Sequence, residues 1–272
     1  MKNLAETFKY IYKNFLFVIF SVIIPAIYIG VFINPFKMFS FNPAYYEAVI
    51  NNAGDVFNLM FDFSWQNIIL NILGGILVVI FMSAYLGNIE NHFRSGKIKL
   101  DQTNSVINNN ILACILYYLL LFTIILLFKF IVMFVTFTLH VLFSGLGSNV
   151  KIYNFIITTL VNFGLLFLFA YILSFIFLAI PTTLFYGYSI RNSLSYSGEM
   201  MSKRSHTTMA GIIIPVTFIL ILSLLGSLFN FLVAAQLINI LFAFIYFPIY
   251  AYTIFFKYSG NERFDNTKSF FS

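Results

Sequence analysis

The three histidines carry the most versatile chemistry in this chain, because an imidazole can bind a metal or move a proton. They are His92, His140 and His206, and no two of them share an H-x-x-H, C-x-x-C or H-E-x-x-H spacing. A zinc site needs three or four ligands held close together. We therefore expect no metal site from them and interpret them as interfacial or loop histidines.

The nucleophilic side chains form no catalytic pattern. The chain has one cysteine, Cys114, which lies in the apolar run ILACILYYLL and has no second cysteine for a disulfide. We interpret it as a small residue in a helix contact. Neither a phosphate-binding loop nor a nucleophile elbow occurs, and no serine or threonine has a nearby histidine and carboxylate. The sequence therefore predicts neither an enzyme nor a bound cofactor.

The nine carboxylates all fall in predicted loops or tails, so none is expected inside a membrane span. Proton-coupled transport needs a titratable group in its low-dielectric path, which argues against an acidic proton relay. Asp55 and Asp62 could meet on the outer surface, but we favour a solvated loop face. The nine are Glu6, Glu47, Asp55, Asp62, Glu90, Asp101, Glu199, Glu262 and Asp265.

Lys129 is the one charged residue close to the interior of an apolar run. It follows Ile111 by about 27 Å along a helix, which places it near the outer interface, where its stem can snorkel. The alternative is a functional cation that faces an internal cavity, and Lys129 is therefore a candidate binding residue. The run continues to Phe143, so a helix of about 50 Å would have to tilt, protrude or break.

Three amides also fall inside predicted spans and are candidate intramembrane binding residues. They are Asn71, Asn162 and Asn239. An amide in lipid seeks a partner on another helix, so we expect all three to face the interior of a helix bundle. Gly74 and Gly75 predict a close helix contact beside Asn71.

These residues sit in a chain whose composition is that of an all-α, polytopic membrane protein. Of its 272 residues, 61% are hydrophobic and 9% are charged, against about 25% charge in soluble domains. A span needs about 20 apolar residues. Six segments qualify: Phe15–Ile33, Ile68–Leu86, Ile111–Phe130, Tyr153–Ile180, Met209–Leu232 and Leu237–Phe256.

The basic residues orient these spans. Twelve of the fifteen Lys and Arg fall on one side of the alternating spans, and only Lys37, Lys129 and Lys151 fall on the other. Basic residues are retained on the cytoplasmic side, so both termini are expected in the cytoplasm and the protein in the cell membrane. The net charge of +6 predicts a bilayer with anionic headgroups as partner rather than nucleic acid.

The connections differ in character. Residues 1–13 predict an amphipathic helix on the inner leaflet, and the fourth connection predicts a weaker one. The second connection, Gly87 to Asn110, is rich in asparagine and favours turns over a long helix. The outer loop, Asn34 to Trp65, predicts a short surface helix. The apolar face of the first helix consists of Leu4, Phe8, Ile11 and Phe15. The apolar face in the fourth connection consists of Ile190, Leu194 and Met201.

The layout suggests one membrane-embedded domain, residues 1–272, with an internal repeat. Each unit would hold an inner-surface segment and two spans, with the units at 1–87, 88–180 and 181–256. Two halves of three spans in opposite orientation are the competing division.

Two stretches carry a resemblance to known families. They are the opening FKYIYKNFLFVIF and the segment FYGYSIRNSLSYSGEMMSKRSHTTMAGIIIP, in which a span ends and a basic surface segment leads into the next span. The chain resembles the six-span YciC-like families and the membrane domain of some glycerophosphoryl diester phosphodiesterases. This resemblance implies a six-span architecture and no assigned activity.

Two functions fit these features. The first is a transport-associated module or permease-like subunit, which would work with partner subunits or a second copy of itself. The alternative is a structural or regulatory membrane protein that acts on lipid or on the assembly of a complex. A cavity inside the bundle favours the first, and a solid bundle favours the second. A lipid-modifying enzyme would need a cluster of His, Asp or Glu at one membrane face.

Overall fold

A computed structural model describes residues 2–33, 65–97, 100–144, 150–203, 205–229 and 231–265, and they contain helices and no strand. The all-α prediction is therefore confirmed for this part of the chain. The predicted outer loop, with Asp55 and Asp62, lies outside the described residues. The helices are α1 Lys2–Lys13, α2 Phe15–Tyr28, α3 Trp65–Ser95, α4 Thr103–Ser144, α5 Val150–Tyr186, α6 Ile190–Lys203, α7 Ser205–Leu228 and α8 Leu232–Ser259.

Four of these helices contain stretches long and apolar enough to cross a membrane, and they indicate a membrane protein. Each has at least 24 residues in its qualifying stretch, more than the roughly 20 that a span needs. The long helices α3, α4, α5 and α8 are therefore candidate membrane spans. The stretches are Ile72–Ser95, Thr103–Leu139, Leu160–Tyr186 and Val233–Ser259.

The first and fifth predicted spans are helical but differ from the other four. Helices α1 and α2 meet at a 90° bend and count together as a fifth candidate span. The bend falls at Asn14, whose φ and ψ of −117° and 25° leave the helical region and whose side-chain amide donates to the Tyr10 carbonyl. In α7, the apolar stretch Thr208–Ser223 is shorter than a span needs, so the fifth predicted span is not among the candidates. The structure thus contains four or five candidate spans.

Helix α1 has the predicted bounds, but its buried face is not its apolar stripe. Asn3, Thr7 and Tyr10 are buried against the rest of the protein, while Phe8 and Phe15 are exposed. The polar face is buried because it finds polar partners at the end of α8, where the Lys257 ammonium donates to the Asn3 side-chain oxygen. Of the apolar stripe, Phe8 and Phe15 are exposed, while Leu4 and Ile11 are half-buried.

The prediction of turns between Gly87 and Asn110 is wrong. Helix α3 continues to Ser95, and α4 begins at Thr103 after the short helical turn Leu100–Gln102. The cause is burial: Ile89 and Phe93 continue the apolar face of α3 and are fully buried, which outweighs the weak helix propensity of asparagine. As a consequence Glu90 lies inside a buried helix, and the prediction that every carboxylate lies in a loop or tail is wrong for this residue.

Helix α4 contains the long apolar run around Lys129 as one unbroken helix. Its 42 residues form one continuous helix, about 63 Å long. The predicted break therefore does not occur between Thr103 and Ser144. Since the hydrocarbon core is about 30 Å thick, the helix must tilt or extend beyond it.

Helix α8 is central to the bundle and packs against α1, α2, α5 and α7. Its tyrosines bond to the backbone of α7: the Tyr246 hydroxyl donates to the Gly211 carbonyl at 2.7 Å, and the Tyr250 hydroxyl donates to the Thr208 carbonyl at 2.8 Å. The predicted helix of the fourth connection is also present as α6, which packs on α5.

The predicted close contact at Gly74 and Gly75 is confirmed. A Cβ atom at Gly74 would lie 1.7 Å from the Tyr28 ring of α2, and one at Gly75 would lie 2.8 Å from the Tyr118 hydroxyl of α4. The two glycines therefore let α2 and α4 approach α3 from opposite sides.

Candidate functional site

A cavity of about 150 Å³ lies between α3, α4, α5 and α8. Almost all of its lining is aliphatic or aromatic, with the thiol of Cys114 and the rings of Tyr117 and Tyr118 as the lining residues that carry a polar atom. Apolar cavities of this kind stay dry and accept apolar guests. Representative lining residues are Val79, Met82, Leu121, Phe169, Phe177 and Ala243.

The spacing of the lining residues explains how the helices build this cavity. On α5, lining residues recur from Phe169 to Leu184 at intervals of three or four, and on α3 Val78, Met82 and Leu86 recur every four. Such intervals place residues on one face of a helix. The lining face of α5 therefore extends for about 22 Å, most of the thickness of a hydrocarbon core.

Leaving this space empty is costly. At roughly 24 cal/mol per Å³, a void of about 150 Å³ costs about 4 kcal/mol relative to a filled core. This is a large share of the 5–15 kcal/mol that typically stabilises a domain. An apolar guest that fills the cavity would recover much of that cost.

A row of hydroxyls closes one end of the cavity. The Tyr117 hydroxyl lies 2.6 Å from Thr183 Oγ1, which donates to Ser193 Oγ at 2.7 Å. The row joins α4, α5 and the surface helix α6. It lies at the same end of the bundle as the chain termini, which we call the inner end.

Tyr252 lies beside this row with a buried hydroxyl that has no hydrogen-bond partner among the described residues. It is close enough to Cys114, Tyr117 and Glu90 for electrostatic interaction. Glu90 is itself 7% exposed and accepts a bond from Arg94 at 3.3 Å. A buried hydroxyl without a partner is costly, and because Tyr252 is not among the residues that line the cavity, this cost belongs to the packing of the bundle.

A second polar cluster ties the two ends of the chain together at the inner end. Arg263 of the C-terminal segment donates to Glu6 of α1 at 3.1 Å and to Asp265 at 2.9 Å. Its guanidinium lies 4.6 Å from the centre of the Phe93 ring in α3. Each of these charges is thus engaged by another group, which is the pattern of a structural link rather than of a catalytic site.

His92 belongs to the same region and is not a loop histidine. It is fully buried in α3, and its Nδ1 lies 2.8 Å from the Tyr10 hydroxyl. The side chains of His140 and His206 lie outside the described residues. Among the residues that the structure does describe, no group of three or more His, Cys, Asp and Glu could hold a metal ion.

The structure does not bring the predicted polar candidates together. The Asn239 amide donates to the Ile219 carbonyl at 3.1 Å and to Ser223 Oγ at 2.8 Å, which confirms that it faces the bundle. Asn162 is also buried, whereas the side chain of Asn71 is not described. Lys129 is half-buried and does not line the cavity. Its placement in the outer interface stays a prediction.

Sequence reasoning missed the cavity and Tyr252. A cavity lined by ordinary apolar residues has no sequence motif. Tyr117 and Tyr252, which lie deep in predicted spans, nevertheless indicated polar contacts inside the bundle. Comparison with known proteins adds no further indication: no family model, no curated protein and no solved structure matches this chain.

Proposed function

We propose that the protein is a six-span module of the cell membrane, with both termini in the cytoplasm, that serves transport without a catalytic site of its own. The four or five candidate spans and the two short helices α1 and α6 support this architecture. The bias of basic residues supports the orientation. The six-span families that the sequence resembles have the same layout.

The cavity is the observation that carries this proposal. It lies between four long apolar helices and therefore at membrane depth. Ligand sites in helical membrane proteins are commonly built between helices of the bundle. A protein with only an anchoring role would have no use for a space that costs stability.

The alternative is a structural or regulatory protein that acts on lipid or on complex assembly. The apolar lining favours it, because such a surface offers few partners to an ion or a polar solute.

The native thiol of Cys114 tests whether the cavity is open. We expect N-ethylmaleimide to alkylate Cys114 in the purified, delipidated protein, because the thiol lines the cavity and no lipid then shields it. Ala243→Phe places a ring in the cavity and should slow alkylation at least fivefold. Ala234→Phe is the matched control on an exposed face of the same helix and should leave the rate unchanged. Equal, negligible rates in all three proteins would indicate a solid bundle and favour the alternative.

A further inference from the structure

We propose that the cavity binds one acyl chain of a membrane lipid, with the polar head of that lipid at the inner end beside Tyr117. The inference rests on the proposed function in that it needs the cavity to be open, and it adds the chemical class of the ligand. It follows from the extent of the lining, its apolar character and the polar groups at one end.

The shape and lining fit a single long chain. The lining residues extend along α5 from Phe169 to Leu184, about 22 Å parallel to the helix. An acyl chain is long, thin and apolar, and bilayer lipids supply it at the highest concentration of any such molecule around these helices. A compact apolar solute would leave much of this length unfilled.

The polar groups at one end fit the head of the same molecule. The Tyr117 ring lines the cavity, and its hydroxyl begins the row with Thr183 and Ser193, so the inner end is the polar end of the site. Arg94 lies one helical turn beyond Glu90 and supplies a cation at the same end.

An acyl chain reaches this site either as a free fatty acid or as part of a phospholipid. Both present the same apolar chain and a carbonyl oxygen at its end. They differ in whether a glycerophosphate headgroup must fit at the inner end, so the experiment uses both.

The test is photocrosslinking in lipid nanodiscs that contain the full-length protein. The probes are palmitic acid with a diazirine in its chain and phosphatidylglycerol that carries the same chain. We expect label on lining residues of α4 and α5, at least fivefold less of it in Ala243→Phe, and unchanged label in Ala234→Phe. Label from the fatty acid alone would identify a free fatty acid as the ligand, and label from the phospholipid would identify a membrane phospholipid.

A second pair of variants distinguishes a filled cavity from a misfolded protein. Leu121→Trp fills the cavity from α4, and Leu119→Trp is its exposed control on the same helix. Both should elute as folded protein, and only Leu121→Trp should lose the label.

Three results would overturn the inference. They are label confined to exposed residues, label that survives both filling variants, and no label from either probe while Cys114 stays reactive. The last result leaves the open cavity, and hence the proposed function, intact. If Cys114 is unreactive even after delipidation, a segment of the chain itself fills the space, and both proposals fail together.

Discussion

At the residue scale, removal of the Tyr252 hydroxyl is expected to stabilise the protein rather than destabilise it. Because this buried hydroxyl has no hydrogen-bond partner among the described residues, Tyr252→Phe should stabilise the delipidated protein by about 1 kcal/mol. Tyr246→Phe is the matched control, since its hydroxyl donates to the Gly211 carbonyl at 2.7 Å, and it should destabilise by a similar amount. Thermal unfolding in detergent measures both. Destabilisation by Tyr252→Phe would show that the hydroxyl already has a partner.

Gly74 gives a second residue-scale prediction. Gly74→Ala brings a methyl group within 1.7 Å of the far end of the Tyr28 ring, so the ring must move and lose its hydrogen bond to the Leu70 carbonyl, and the protein should lose about 1 kcal/mol. Gly164→Ala is the control, because a Cβ there meets nothing within 4 Å and alanine is the better helix former by roughly 0.5–1 kcal/mol. Opposite shifts in unfolding temperature are expected. A neutral Gly74→Ala would mean that the two helices are not in close contact.

At the element scale, Arg263 is expected to hold α1 against the inner end of the bundle. It bonds to Glu6 of α1 and to Asp265, and it packs on Phe93 of α3. Arg263→Ala should therefore speed hydrogen exchange in α1 at least tenfold, which corresponds to about 1.4 kcal/mol of lost protection. Arg191→Ala, an exposed arginine on α6, is the control and should leave the exchange of α1 unchanged. Unchanged exchange in both variants would contradict the link.

The elements also show what one sequence can predict. Apolar runs mark helices because burial in lipid needs no specific partner, so the six predicted spans overlap helices, although the fifth, Met209–Leu232, runs past the end of α7 at Leu228. Asn239 was predictable for the opposite reason, since an amide in lipid must find a partner. The extension of α3 through Glu90 and His92 was not predictable. These buried polar residues depend on partners, His92 on Tyr10 and Glu90 on Arg94. The cavity depends on which faces meet, and a single sequence does not contain that information.

At the scale of the whole molecule, cations from distant parts of the chain share one end. Arg94 packs over Phe185 at the end of α5, Lys257 reaches Asn3, and Arg263 reaches Glu6. These three basic residues, one from α3 and two from the C-terminal end of the chain, thus lie at one end of the bundle, as the rule for cytoplasmic loops requires. This convergence supports the proposed orientation, with the hydroxyl row and the head of a bound lipid in the inner leaflet.

Cysteine labelling in intact cells tests that orientation. In a Cys114→Ser background, Asp55→Cys should react with a membrane-impermeant maleimide, whereas Lys268→Cys should react only after the cells are permeabilised. Moving a loop with many positive charges across the membrane costs far more free energy than keeping it in the cytoplasm. We therefore expect the side with twelve basic residues to be cytoplasmic. Reaction of Lys268→Cys in intact cells would place the basic face outside. The lipid head would then lie in the outer leaflet, and the acyl chain would have to enter the cavity from that side.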